Sequence, residues 1–202
     1  MGNYVSSEAV HVAVIGLTDT GKSHFLSLLS EGILNMETTH PTFGSYETVF
    51  SYRRRRIVLT EMGSHVYQSW KNQFMAQNFS CIMWFIDEHD TLEDIYKARN
   101  RLVEATRETM KRIPLCVVHN IGRPHAHRRY TTLKNGKLEW REDDDDNGVR
   151  IVAVPWVHLS DALNVSYLEM LHKTVYLTQL SYRDRVSPVF LLDWILNAAT
   201  LD

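Results

Sequence analysis

Gly16-Leu17-Thr18-Asp19-Thr20-Gly21-Lys22-Ser23 fits the pattern G-x-x-x-x-G-K-[ST]. In such a loop successive backbone N–H groups converge on the phosphates of a nucleotide. The lysine ammonium reaches the outer phosphates and the serine hydroxyl ligates Mg²⁺. Glycine is required where the backbone curls with positive φ and no Cβ can stand in front of the anion. The flanking sequence agrees. Val10–Ile15 is a short apolar run rich in β-branched residues, and His24–Ser30 carries Phe25, Leu28 and Leu29 at helical spacing. A strand, a glycine loop and a helix N-terminus, which adds its own partial positive charge, are the parts a phosphate site needs. A glycine turn that binds nothing would leave Lys22 without a role. Gly16, Thr18, Asp19, Thr20, Gly21, Lys22 and Ser23 are therefore the candidate nucleotide-binding residues, with Ser23 also a candidate Mg²⁺ ligand. Asp19 is the odd member, because a carboxylate facing the phosphates would repel them.

The chain has 202 residues, 44% hydrophobic and 23% charged, the balance of one soluble α/β domain. A net charge of −2 supplies no overall basic field for nucleic acid. No apolar stretch approaches the roughly 20 residues that span a bilayer, and the N-terminus lacks a basic region followed by an apolar one. Cys81 and Cys116 sit in apolar strand-like runs far from any CxxC pattern, as reduced core thiols of a cytoplasmic protein would. Met1-Gly2-Asn3-Tyr4-Val5-Ser6 fits the short N-myristoylation pattern M-G-x-x-x-[ST], which would give marginal, reversible membrane association through Gly2.

Beyond the first helix, Thr39–Gly44 reads as a loop, and Tyr46–Tyr52 and Arg56–Glu61 as the strands of a hairpin. Arg53–Arg56 lies at its tip, read as a solvated turn in preference to a patch for acidic lipid or a partner. Glu61–His65 breaks the second strand, and an irregular helix through Trp70 and Phe74 is expected next. Cys81–Asp87 has the continuous apolar character of a central strand covered on both faces. Apolar residues from Asp90 to Arg112 recur at helical spacing, and Leu115–Val118 is another buried strand, ending at His119–Pro124. Residues 125–149 form a hydrophilic, acidic insertion within a single domain spanning 1–202, with a hairpin expected through Thr131–Trp140 around Asn135-Gly136. His125 and His127 in it are weak metal candidates. Arg150–Trp156 is expected to be the last strand, Ser160-Asp161-Ala162 a loop, Val165–Leu180 a helix and Val189–Ala199 a final helix opened by Ser187-Pro188. Alternation of this kind argues for a mostly parallel sheet covered on both faces.

A threonine in the loop after the first helix, then a hairpin, then an acid-x-Gly at a strand end is the order of parts in a GTPase. Together with Pro41-Thr42-Phe43-Gly44, Glu61-Met62-Gly63, the Trp70 region and the strand ending at Asp87, it resembles the Arf/Arf-like branch of small GTPases over roughly residues 10–124. The resemblance implies a Ras-like P-loop GTPase domain with a six-stranded, mostly parallel sheet. It also implies GTP/GDP and Mg²⁺ as cofactors. Thr42 and Glu61 would join Ser23 at the metal, Gly63 would offer its N–H to the γ-phosphate, and protein effectors would meet the switch loops. Membrane or ciliary trafficking is implied by the family alone.

The departures bear on chemistry. The family's Asn-Lys-x-Asp box falls on His119-Asn120-Ile121-Gly122, and Gly122 has no side chain to accept from guanine; Asn120 or an acid from the insertion is left to compensate. Ser64 replaces a glycine, and His65 stands where the catalytic glutamine would position water, so slow hydrolysis is expected. Ser160-Asp161-Ala162 partly matches the loop beside the base, making Ser160 a candidate contact. A nucleotide switch, a pseudo-GTPase scaffold and an ATP-using phosphoryl-transfer enzyme are the three readings left open.

Overall fold

The computed structural model describes residues 9–31, 44–63, 67–107, 112–121, 129–134, 137–142, 155–181 and 187–200, and the structural statements below are of those residues. Strand β1 (Val10–Gly16) is followed by α1 (Lys22–Glu31), then by the hairpin β2 (Ser45–Tyr52) and β3 (Arg55–Met62). Next come α2 (Tyr67–Ala76), β4 (Cys81–Asp87), α3 (Leu92–Thr106) and β5 (Leu115–Ile121). A separate hairpin, β6 (Arg129–Lys134) and β7 (Lys137–Glu142), precedes α4 (Trp156–Leu163), α5 (Val165–Leu171), β8 (Val175–Ser181) and α6 (Ser187–Ala198).

The main sheet has the order β2-β3-β1-β4-β5-β8. Only β2 runs against its neighbour; the other pairings are parallel. This is the expected six-stranded α/β architecture. Side chains alternate along each strand and so feed two cores. One face contributes Ala13, Ile15, Ile82, Trp84, Ile86, Leu115 and Val117 to a core with Trp70, Ile95, Leu102, Leu159 and Leu168 from α2 to α5. The other face contributes Val12, Val14, Leu59, Met83, Phe85 and Val118, packed on Phe25 and Leu26 of α1 and on Leu191, Leu192 and Ile195 of α6. Every residue of β4 is buried, as its unbroken apolar run requires. In α1 the fully buried pair is Phe25 and Leu26, with Leu28 only half-covered, so the buried face is rotated from the one spacing suggested.

Four expectations are corrected. Trp156 opens a helix, and the sixth strand of the sheet is β8, formed by residues that had read as helical. The cause is visible in Val175-Tyr176-Leu177-Thr178: Val, Thr and Tyr favour a pleated strand, and His172 (φ −109, ψ 155) has already left the helix. Residues 143–154, where the last strand had been expected to start, lie outside the described residues. Ser160-Asp161-Ala162 is helical, within α4. The helix expected from Asp90 starts two residues later, at Leu92, because Thr91 caps it: its hydroxyl accepts from the Asp94 N–H while the Asp94 carboxylate accepts from the Thr91 N–H. Finally, β5 continues through His119 and Asn120 rather than ending before them.

The hairpin expected in the hydrophilic insertion is present: Lys134 pairs with Lys137 across a two-residue connection at Asn135-Gly136. The Arg53-Arg54 tip has φ of 45° and 65°, a tight turn of left-handed residues. It is not merely solvated. Tyr52 Oη and Arg53 Nη2 donate to the two carboxylate oxygens of Asp193 in α6, at 2.8 and 2.9 Å.

Candidate functional site

All the parallel strands point their C-terminal ends the same way, so the phosphate loop, Glu61, Asp87 and Asn120 gather at one end of the sheet. The loop passes so close to β4 that its first glycine is obligatory. A Cβ on Gly16, whose φ is 150°, would sit 2.5 Å from the Phe85 carbonyl oxygen and 2.8 Å from Thr20 Oγ1. Gly21 has φ 86°, which again suits glycine. Thr20 is fully buried and its hydroxyl donates to the Leu17 carbonyl at 3.0 Å, bracing the loop from inside. Lys22 opens α1 and is buried, with Nζ donating to Leu17 O at 2.6 Å and lying 3.4 Å from Thr20 Oγ1. A buried ammonium held across the curl of the loop is placed for an anion there. Asp19 is exposed with φ 61°, and exposure to water weakens the repulsion its carboxylate would exert on phosphates. Thr18, beside it, is half-buried.

Next to the loop, Ser23 Oγ donates to Glu61 Oε1 at 2.7 Å, and Glu61 is almost wholly buried at the end of β3. The expected metal ligands Ser23 and Glu61 are thus brought together, although the longer glutamate chain replaces the family's aspartate. Thr42 and His65, the other metal and catalytic candidates, lie outside the described residues, as do Gly2, Gly122 and the His125/His127 pair. Among the described residues no group of three or more His, Cys, Asp or Glu side chains could hold a metal ion. A hard cation here would depend on the hydroxyl-carboxylate pair and on oxygens of the phosphates themselves.

Gly63 carries two ties. Its N–H donates to the Gly44 carbonyl at 2.7 Å, extending the β2–β3 ladder by one rung, and its own carbonyl accepts from Trp70 Nε1 at 3.0 Å. The N–H assigned to a γ-phosphate is therefore engaged across the hairpin in this arrangement, while the indole of α2 holds the same peptide from the other side. Nothing in the sequence spacing announced the Trp70 contact.

Asn120 is the described base-box residue that reaches the loop. It is fully buried, its Nδ2 donates to Thr20 O at 3.1 Å, and its Oδ1 has no partner. A buried acceptor left open costs about 1–3 kcal/mol. It fits a ligand carrying an N–H, such as a purine base, beside the phosphates. His119, one position earlier, faces the other core and stacks on Trp156 with ring centroids 5.5 Å apart. Burial pushes its pKa below 6.5, while the carboxylates of Asp87 and Glu88 pull the other way. Ser160 is exposed on α4, a helix that packs on α3, and not on a loop at the end of the sheet. The residue that stands at the end of β8, level with Ile121, is Ser181. Sequence reading missed it because β8 had been taken for a helix.

The description "ADP-ribosylation factor family" matches residues 2–134 of this chain. Among solved structures the chain is similar to the Arl6 BBS3 small GTPase from Trypanosoma brucei, solved with the bound nucleotide analogue GppNp. The two superpose with a TM-score of 0.65 at 14% identity, over 96% of this chain and 98% of that one. At that identity the likeness concerns the fold. No curated protein sequence matches the chain.

Proposed function

The chain belongs to the ADP-ribosylation factor family, and on that premise we propose that it is a guanine-nucleotide switch of membrane or ciliary trafficking with slow intrinsic GTP hydrolysis. Lys22 and the N–H groups of the loop would hold the phosphates; Ser23, Glu61 and Thr42 would hold Mg²⁺; and Asn120 Oδ1 would accept from the base. Mg·GTP would supply the γ-phosphate charge whose presence distinguishes the two states. The observation that carries the reading is the 2.7 Å Ser23–Glu61 hydrogen bond, which brings a helix-borne hydroxyl and a strand-borne carboxylate together beside a buried lysine. Slow hydrolysis follows from Ser64 and His65 in place of the glycine and glutamine of relatives. Within the family we read it as a protein akin to Arf-like protein sixteen, on its glutamate at Glu61 and its tryptophan-bearing segment. Effectors would meet the loops around Thr42 and Gly63, and acylation of Gly2 would add reversible membrane contact in the cytoplasm.

A second reading, a scaffold that holds nucleotide statically or not at all, draws on the Gly63–Gly44 bond and on Gly122 at the position where the family has an acid. The two readings separate at Trp70. Switching requires the Gly63 N–H to leave Gly44 for a phosphate oxygen, which disturbs the indole bonded to the same residue. Trp70 emission, isolated by difference from a Trp70→Phe variant, is expected to differ between the Mg·GDP form and the form with a non-hydrolysable GTP analogue. Identical emission in two saturated complexes would establish the scaffold.

A further inference from the structure

One charge in the phosphate loop is left over by the roles assigned above. From Ala9 to Ser30 the chain holds one lysine or arginine, Lys22, and one acid, Asp19. With its histidines neutral, the segment that would cradle a polyanion therefore carries no net formal charge. The two charges are placed differently. Lys22 is buried, with Nζ donating to Leu17 O across the curl, whereas Asp19 stands exposed on the rim with φ 61°. Asp19 is the residue before Thr20, whose carbonyl accepts from Asn120, so it lies where the loop faces β5 and the base side. Glu61, the other carboxylate close to the loop, accepts from Ser23 Oγ and would be neutralised by Mg²⁺. Asp19 stands outside that pair. Nor does the backbone require an acid there: a left-handed conformation suits glycine at no cost, and asparagine as well as aspartate.

We propose that Asp19 is a release element. Its carboxylate weakens the hold of the loop on nucleotide, most strongly on the triphosphate, so that the GTP-bound state ends by dissociation where hydrolysis is slow. This rests on the nucleotide-switch reading above. Three residues of chain keep the Cα atoms of Asp19 and Lys22 within about 11 Å of each other. That is close to the Debye length of about 8–10 Å at ordinary salt, so exposure screens the repulsion without abolishing it. At about 8 Å in water, one unit charge facing the net charge of about −2 on Mg·GTP lowers affinity about fivefold. Facing the net charge of about −1 on Mg·GDP, it lowers affinity about twofold. The nucleotide with more charge is held back more, and occupancy of the loop then follows the supply of free nucleotide.

The test compares the wild-type protein with Asp19→Asn, which keeps the shape and the tolerance of a left-handed backbone and removes the charge. Calorimetry gives the affinities for Mg·GDP and for a non-hydrolysable GTP analogue with Mg²⁺. Displacement of a fluorescent derivative of each gives the release rates. Asp19→Asn is expected to bind the triphosphate about fivefold and the diphosphate about twofold more tightly, with slower release of both. The gap between the two proteins should close as salt rises toward about 1 M, where the Debye length is about 3 Å. Should that variant fail to fold, Asp19→Gly, whose residue suits φ 61°, carries the same comparison. Equal affinities in the two proteins would overturn the proposal and leave the nucleotide switch standing. So would an equal gain for both nucleotides that ignores salt, which is the mark of relaxed backbone strain. Failure of both proteins to bind nucleotide would overturn the nucleotide reading and this one with it.

Discussion

The two halves of the nucleotide end were built to different rules. On the phosphate side, β1, the loop, α1 and β3 form a candidate site from backbone curvature, with Gly16 and Gly21 at positive φ and Lys22, Ser23 and Glu61 beside the loop. On the base side, β5, α4 and β8 supply side chains instead: the expected serine lies on a helix, the sequence has Gly122 where the family has an acid, and Asn120 reaches across to the loop. A site made of backbone tolerates no substitution and so leaves a fixed signature in the chain. A site made of side chains on separate loops can be rebuilt, and its signature dissolves.

The contrast is most easily broken at Gly16. Gly16→Ala forces a Cβ against the Phe85 carbonyl in a backbone conformation that alanine disfavours. It is expected to cost about 3 kcal/mol or more, measured by urea unfolding. No detectable loss would mean the loop is not held as tightly as the contact implies. Lys22→Ala should leave stability nearly intact yet weaken nucleotide binding by at least about a hundredfold, since it removes the buried cation from the loop. On the base side, Asn120→Ala strips the buried Thr20 carbonyl of its partner, for about 1–3 kcal/mol of stability, and also lowers nucleotide affinity. If it altered only stability, Asn120 would be a brace and not a base contact.

How much was legible follows from the same contrast. The loop, the hairpin and the fully buried β4 were read correctly because each rests on a local rule: glycine where φ is positive, two-strand alternation, or an unbroken apolar run. β8 was misread because Val165, Leu168, Leu171 and Val175 keep helical spacing across the turn at His172 and Lys173, while the strand that follows is half-exposed and lacks an apolar run. That error hid Ser181. The reach of Trp70 to Gly63 and the Tyr52–Arg53–Asp193 cluster join residues with no local pattern at all, and only the packed fold displays them.

Acid should act through two buried histidines, His119 on the base side and His172 at the opposite end of the sheet, beside Ile113. The pKa values of His119 and His172 are lowered in the folded protein by burial, so below pH about 6.5 the unfolded chain takes up protons that the folded one refuses. Stability is therefore expected to fall as pH drops from 7 toward 5. His119→Phe, which keeps an aromatic ring against Trp156, should flatten part of that slope in unfolding experiments at several pH values. An unchanged slope would assign the effect to His172. The smallest change is expected at the hairpin tip: Arg53→Ala breaks an exposed pair and should cost well under about 1 kcal/mol, less in high salt.

The central claim is that this altered base side still selects guanine. Calorimetric titration of nucleotide-stripped protein with Mg·GTP, Mg·GDP and Mg·ATP tests it most directly. Tight binding of GTP and GDP, with ATP at least about a hundredfold weaker, is the expected result and would mean that Asn120 or a neighbour has taken over from the missing acid. Equal affinity for ATP and GTP, or no binding of any of the three, would contradict it.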